Sequence, residues 1–123
     1  MDKRPKHLNL LKIHLPLPGV LSIFHRISGV ILIYVLPFAL AALQFSTADK
    51  TGYAQVISVA SHPVAKLAIW GAAWALFHHL CAGIRFLLLD CHIGTTLEVA
   101  RRSAAVAFVV SLFLTTVFGF WLW

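Results

Sequence analysis

Three stretches of this chain contain no Lys, Arg, Asp or Glu: residues 27–48, 67–84 and 103–123. Each is near or above the length at which an apolar helix crosses hydrocarbon. The chain has 123 residues, 60% of them hydrophobic and 11% charged, too little polar surface for a water-soluble domain of this size. Three membrane helices use up most of it, so the sequence predicts one small all-α membrane domain with no room for a soluble catalytic module. The expected spans are about 20–45, 63–90 and 103–123. An arm over 1–19 precedes them, in which Pro5, Pro16 and Pro18 prevent a continuous helix. Pro37 should kink the first span, and Pro63 suits the first turn of the middle one. Residues 46–62 read as a polar outer loop. Residues 91–102 read as a short connection where Thr95 and Thr96 are candidate caps for a turn carrying Glu98, Arg101 and Arg102.

The net charge of +6 follows membrane topology and is no sign of nucleic-acid binding. Of the ten basic residues, only Lys50 and Lys66 lie between the first and middle spans. The others precede or enter the first span (Lys3, Arg4, Lys6, Lys12, Arg26) or flank the connection to the third (Arg85, Arg101, Arg102). The positive-inside rule then places the amino terminus in the cytoplasm and the carboxyl terminus in the periplasm. Cys81 and Cys91 form no disulfide framework and no sulfur-metal pattern. The amino end lacks the uninterrupted apolar run of a cleavable secretory signal, so the first span is expected to serve as its own insertion signal.

The stretch WALFHHLCAGIRFLLLD (74–90) carries two histidines, an arginine and an aspartate inside or at the edge of the middle span. Ionisable groups in lipid are costly and usually mark a site. His79 shares a helical stripe with Ala72, Ala75, Ala82 and Gly83, a shallow groove against which a flat cofactor can lie, and haem iron takes histidine as an axial ligand. The same small residues also serve close helix packing, with His79 as a mere interhelical hydrogen-bonding group. This stretch alone leaves both readings open. His78 points about 100° away, toward Trp74, Ala82 and Arg85. In the first span, Ser22, His25, Arg26 and Ser28 are four polar groups within seven residues. Snorkelling explains Arg26 alone but not the group. Ser103, Ser111, Thr115 and Thr116 of the third span can bond back to their own helix, and that span is assigned no chemistry. Trp121 and Trp123 suit the outer interface.

With the inner ends of the first two spans aligned, Ser22, His25 and Arg26 are expected level with Arg85 and Asp90, and His79 roughly 9 Å deeper. No other histidine of the chain is then expected at His79's depth on an opposing helix. A buried imidazole beneath a cationic polar cluster suits a haem at His79 with propionates toward His25 and Arg26. It equally suits a quinone whose oxygens meet a hydroxyl and a guanidinium.

These residues resemble the cytochrome b membrane-anchor subunits of bacterial succinate dehydrogenase, respiratory complex II. The resemblance covers nearly the whole length. It rests on RPKHLNL (4–10), SIFHRISG (22–29), HHLCAGIRFLLLD (78–90) and RRSA before the third span. It implies a bacterial inner-membrane anchor within a helical bundle of several subunits, carrying a haem b shared with a second small membrane subunit. Flavoprotein and iron–sulfur subunits would oxidise succinate, and ubiquinone would receive the electrons at this anchor. The anchor itself is non-catalytic. The resemblance makes His79, four residues before the Gly of GIR, the axial haem ligand. It gives Ser22 and Arg26 to the quinone, His25 and Arg26 to the propionates, and Asp90 to a proton path. Some relatives carry His directly after GIR, where this chain has Phe86. The alternatives are a fumarate reductase anchor, a purely structural anchor without haem, and a small transporter or proton-conducting subunit built on His78, His79, Arg85 and Asp90. Three helices without a pair of broken ones are few for the last.

Overall fold

A computed structural model of the chain describes residues 15–123. Most of the amino-terminal arm, with the 4–10 motif and Lys3, Arg4, Lys6 and Lys12, lies outside the described residues. Four helices follow in order: α1 (Leu17–Ala48), α2 (Lys50–Ala60), α3 (Pro63–Asp90) and α4 (Leu97–Leu122). Three of them, α1, α3 and α4, are long and apolar enough to cross a membrane.

α1 begins earlier than residue 20. Pro16 is its N-cap and Pro18 sits in its first turn, where an amide N–H has no helical partner to lose. The helix runs unbroken through Pro37. Residues 46–62 are not a loop: α1 gives way at Asp49 directly to α2, whose N-cap is the same Asp49, its carboxylate accepting from the Gly52 amide at 2.7 Å. Thr51, Gly52, Gln55 and Ser58 interrupt its apolar residues and disguised this helix, which the Asp49 cap starts and which packs on α1. α4 begins at Leu97, absorbing the expected interfacial turn into one helix. Thr96 is its N-cap residue by backbone but makes no side-chain cap bond. His92 and Gly94, at φ 61° and 76°, turn the chain between α3 and α4.

α3 packs on α1 along one side and on α4 along another. The contacts are made by small side chains: Ala73, Ala75 and Ala82 of α3 and Ala104 and Ala107 of α4 are buried, with Leu21 of α1. Small residues let helix backbones approach closely, the packing that suits lipid, where apolar bulk gains nothing by turning inward. The large apolar side chains accordingly face outward; Ile33, Phe38 and Phe120 are 71%, 77% and 83% exposed. Polar groups take the interior instead: Ser28, His78, Arg85, Ser111 and Thr115 are buried. All four hydroxyls of α4 bond back to carbonyls of their own helix, Ser103 to Ala100, Ser111 to Phe108, Thr115 to Ser111 and Thr116 to Leu112. Trp70 of α3 reaches across to donate to the Thr115 carbonyl at 3.0 Å. It fits because Gly119 has no side chain; a Cβ there would come within 2.8 Å of the indole nitrogen.

Candidate functional site

The polar patch between α1 and α3 is built by matching faces. Residues 79, 83 and 86 share one side of α3 at three- and four-residue spacing, and 25, 28 and 29 share one side of α1. The imidazoles of His25 and His79 stack, centroids 4.1 Å apart and planes within 15°. Phe86 meets His25 edge-on at 5.1 Å and so packs on this pair. Gly29 admits the His79 ring: a Cβ at that position would lie 3.0 Å from Cε1. The groove expected on the His79 side of α3 is thus covered by α1.

His79 Nδ1 lies 3.2 Å from the His25 carbonyl oxygen and 3.3 Å from Ser28 Oγ. A carbonyl oxygen can only accept, so Nδ1 carries the proton. Ser28 Oγ donates to the same carbonyl at 2.8 Å. With the proton on Nδ1, the lone pair is on Nε2, for which no hydrogen-bond partner exists among the described residues. This is the tautomer a metal-ligating imidazole adopts, its other nitrogen oriented by a backbone carbonyl. Among the described residues no group of three His, Cys, Asp or Glu side chains could hold a metal ion by itself.

The expected depth relation is corrected. His25 is not a turn and a half above His79 but level with it, and it does stand at His79's depth on an opposing helix. The earlier start of α1, at Leu17, sinks His25 farther into the span. The other expected residues are placed but not brought together. Ser22 is half-buried and Arg26 exposed, one helical turn apart on the flank of α1 beside His25. Asp90 is exposed, the last residue of α3. None of the three makes a side-chain hydrogen bond among the described residues.

Two further polar groups of α3 face α4. His78 is fully buried, stacked on Trp74 with ring centroids 5.5 Å apart and set against Phe108 at 5.1 Å. Its Nδ1 is 3.5 Å from Ser111 Oγ, and its Nε2 has no partner. Arg85 is buried, its Nε donating to Ser103 Oγ at 3.0 Å and its Nη2 to the Ala100 carbonyl at 2.9 Å. Sequence reasoning missed Ser28 and Gly29 as the seat of His79. Their spacing of three and four from His25 was the available signal. It also missed that α4 supplies the partners of His78 and Arg85.

Residues 1–118 match the family described as the succinate dehydrogenase/fumarate reductase transmembrane subunit. The chain belongs to this family. It is 37% identical to the succinate dehydrogenase cytochrome b556 subunit of Coxiella burnetii, over 98% of each chain. It is 30% identical to the subunit of the same name from Paracoccus denitrificans, over 90% of this chain and 85% of that one. With the mitochondrial succinate dehydrogenase cytochrome b560 subunit of Dictyostelium discoideum it shares 29% identity over 93% of its length, covering 59% of that longer protein. The motifs that carried the family resemblance, 22–29 and 78–90, are the two segments that meet in the α1–α3 patch.

Proposed function

We propose that this chain is the haem b- and quinone-binding anchor of a bacterial succinate dehydrogenase. It lies in the inner membrane with its amino terminus cytoplasmic and its carboxyl terminus periplasmic. It shares a helical bundle with a second small membrane subunit, and the flavoprotein and iron–sulfur subunits dock on the cytoplasmic side. The observation that carries the reading is the placement of His79 Nδ1 at 3.2 Å from the His25 carbonyl oxygen, which assigns the proton to Nδ1 and leaves Nε2 to ligate. The cytochrome b556 name of the bacterial relatives supports haem as the ligand.

Bound haem supplies a one-electron store whose potential is tuned by its ligands and burial. His79 would hold the haem through Nε2, with a further donor expected from the other membrane subunit, and His25 and Arg26 would meet the propionates. His25, stacked on His79 at 4.1 Å, steadies that ring. Ser22 and Arg26 hydrogen-bond the quinone oxygens, and the Arg26 guanidinium stabilises negative charge as the quinone is reduced. Their flank of α1 is open for another subunit to complete. Asp90, exposed at the end of α3, passes protons between water and that site. Succinate oxidation belongs to the flavoprotein, and this subunit is non-catalytic.

A fumarate reductase anchor would run the same site in reverse; the relatives' names favour succinate dehydrogenase. The test is purification through a tag on this chain. The expected result is a complex with flavin, iron–sulfur clusters and a reduced b-type absorption band. A haem-free complex would leave only a structural anchor, and a chain without a flavoprotein partner would remove the assignment.

A further inference from the structure

Leu21 and Ser28 are the buried residues of α1, and only Ser28 is polar. Its hydroxyl donates to the His25 carbonyl, three residues back on its own helix, at 2.8 Å. That bond spends its single proton. The oxygen keeps its acceptor capacity and faces α3, with Nδ1 of His79 3.3 Å away. Nδ1 carries a proton, because its other neighbour is the His25 carbonyl oxygen at 3.2 Å. The hydroxyl is therefore a second acceptor for the same N–H. Both distances exceed the usual N–H···O length of about 2.9 Å, as befits one proton shared between two oxygens.

The two acceptors differ in freedom. The His25 carbonyl belongs to the unbroken helix α1, where its ladder partner is the Gly29 amide, and it takes the Ser28 proton as well. Its lone pairs are divided and its position is set by the helix, so it cannot close on His79 to replace a lost hydroxyl. The neighbouring histidine supplies a contrast. Ser111 also donates to its own helix, at the Phe108 carbonyl, 2.9 Å, and its Oγ stands 3.5 Å from His78 Nδ1. Among the described residues no carbonyl joins it there. A back-bonded serine thus occurs beside both histidines, but serine and carbonyl meet on one ring nitrogen only at His79.

We propose that Ser28 is a positioning residue that sets how strongly His79 donates to haem iron, an inference that rests on the haem reading above. An acceptor on the far nitrogen of a ligating imidazole raises the basicity of the ligating one. A more basic ligand favours ferric over ferrous iron. Ser28 acts through the Nδ1 proton, and its loss leaves that proton with one long bond to a carbonyl already occupied.

The test uses the whole purified complex carrying Ser28→Ala, Ser28→Cys or Ser28→Thr, with the haem midpoint read by redox titration and haem content by pyridine haemochrome. Cysteine fills the space but its sulfur is a weak acceptor. Threonine keeps a hydroxyl that bonds back to its helix. Ala and Cys should raise the midpoint by about 59 mV, the one-electron equivalent of a tenfold change in the ferric-to-ferrous ratio, with haem content held. Thr should stay near the wild-type value. Ser28→Cys decides the matter if Ser28→Ala does not assemble. An unchanged midpoint in these variants would make Ser28 a packing residue and overturn the proposal. A lowered midpoint would overturn it too, showing that the hydroxyl competes with His79 for the carbonyl. So would a shift in Thr as large as that in Cys, which would trace the effect to volume. A wild-type complex without haem removes both this proposal and the haem reading, whereas a haem-bearing complex whose midpoint ignores Ser28 removes this one alone.

Discussion

The His79 imidazole lies face to face with that of His25, 4.1 Å between centroids, while its Nδ1 is tied to the carbonyl of that same residue at 3.2 Å. One residue of α1 thus fixes both the tilt and the tautomer of one residue of α3, through ring and backbone separately. The two roles separate by mutation. His79→Ala should remove the b-type spectrum and cut haem per complex by about tenfold or more, since the axial donor is lost. His25→Ala keeps the carbonyl and with it the tautomer. Haem should be retained, with a shifted potential. Unchanged haem content in His79→Ala, by pyridine haemochrome assay, would remove the ligand assignment.

Gly29 gives a test of the same site that touches neither imidazole. A Cβ there stands 3.0 Å from His79 Cε1 and 3.4 Å from Nδ1, so alanine forces the ring to give by a few tenths of an ångström. A branched side chain cannot be absorbed. Gly29→Val should displace the ring from the His25 carbonyl and cost about 1–3 kcal/mol by overpacking. Haem occupancy should fall in the order Gly29, Ala, Val. Equal occupancy in all three would show that iron binding does not depend on this seat.

The spans were legible because three charge-free stretches of this length, in a chain this apolar, have almost no stable home outside a bilayer. The α1–α3 site was legible in identity but not in depth. Spacing singles out His25 and His79, yet helix registry depends on where each helix begins, and Pro18, a breaker in mid-helix, serves here as a first-turn residue. α2 was illegible because Thr51, Gly52, Gln55 and Ser58 break up its apolar residues and its start depends on the single Asp49 cap. The interior of α3 facing α4 was invisible for a different reason. His78 and Arg85 find partners in Ser111 and Ser103, hydroxyls that are already satisfied on their own helix. A hydroxyl can do both, donating to the i−3 or i−4 carbonyl and still accepting from across the interface.

The two adjacent histidines should behave in opposite ways. His78 Nε2 is buried with no partner, a cost of about 1–3 kcal/mol, and Ser111 keeps its bond to Phe108 without the ring. His78→Phe substitutes an aromatic ring in a pocket already walled by Trp74 and Phe108. The variant complex should unfold at the wild-type temperature or above it, with full haem content. Loss of haem in His78→Phe with retention in His79→Ala would mean that the ligand had been assigned to the wrong neighbour.

The quinone assignment rests on Ser22 and Arg26, which share a flank of α1 and have no hydrogen-bond partner among the described residues. If they hold quinone oxygens, their loss should affect one half-reaction and leave the other untouched. Ser22→Ala and Arg26→Leu should lower kcat/KM for ubiquinone by about 10–100-fold, the worth of a hydrogen bond to a charged or charging group. Arg26 should be the more costly, because its positive charge also opposes the negative charge built up on reduction. Succinate oxidation with a soluble dye as acceptor should stay at the wild-type rate, since it bypasses the anchor. Haem content should hold in Ser22→Ala. Arg26→Leu should also shift the haem potential, because the same guanidinium serves the propionates. Unaltered quinone kinetics in both variants would leave this flank as a surface for protein contact alone.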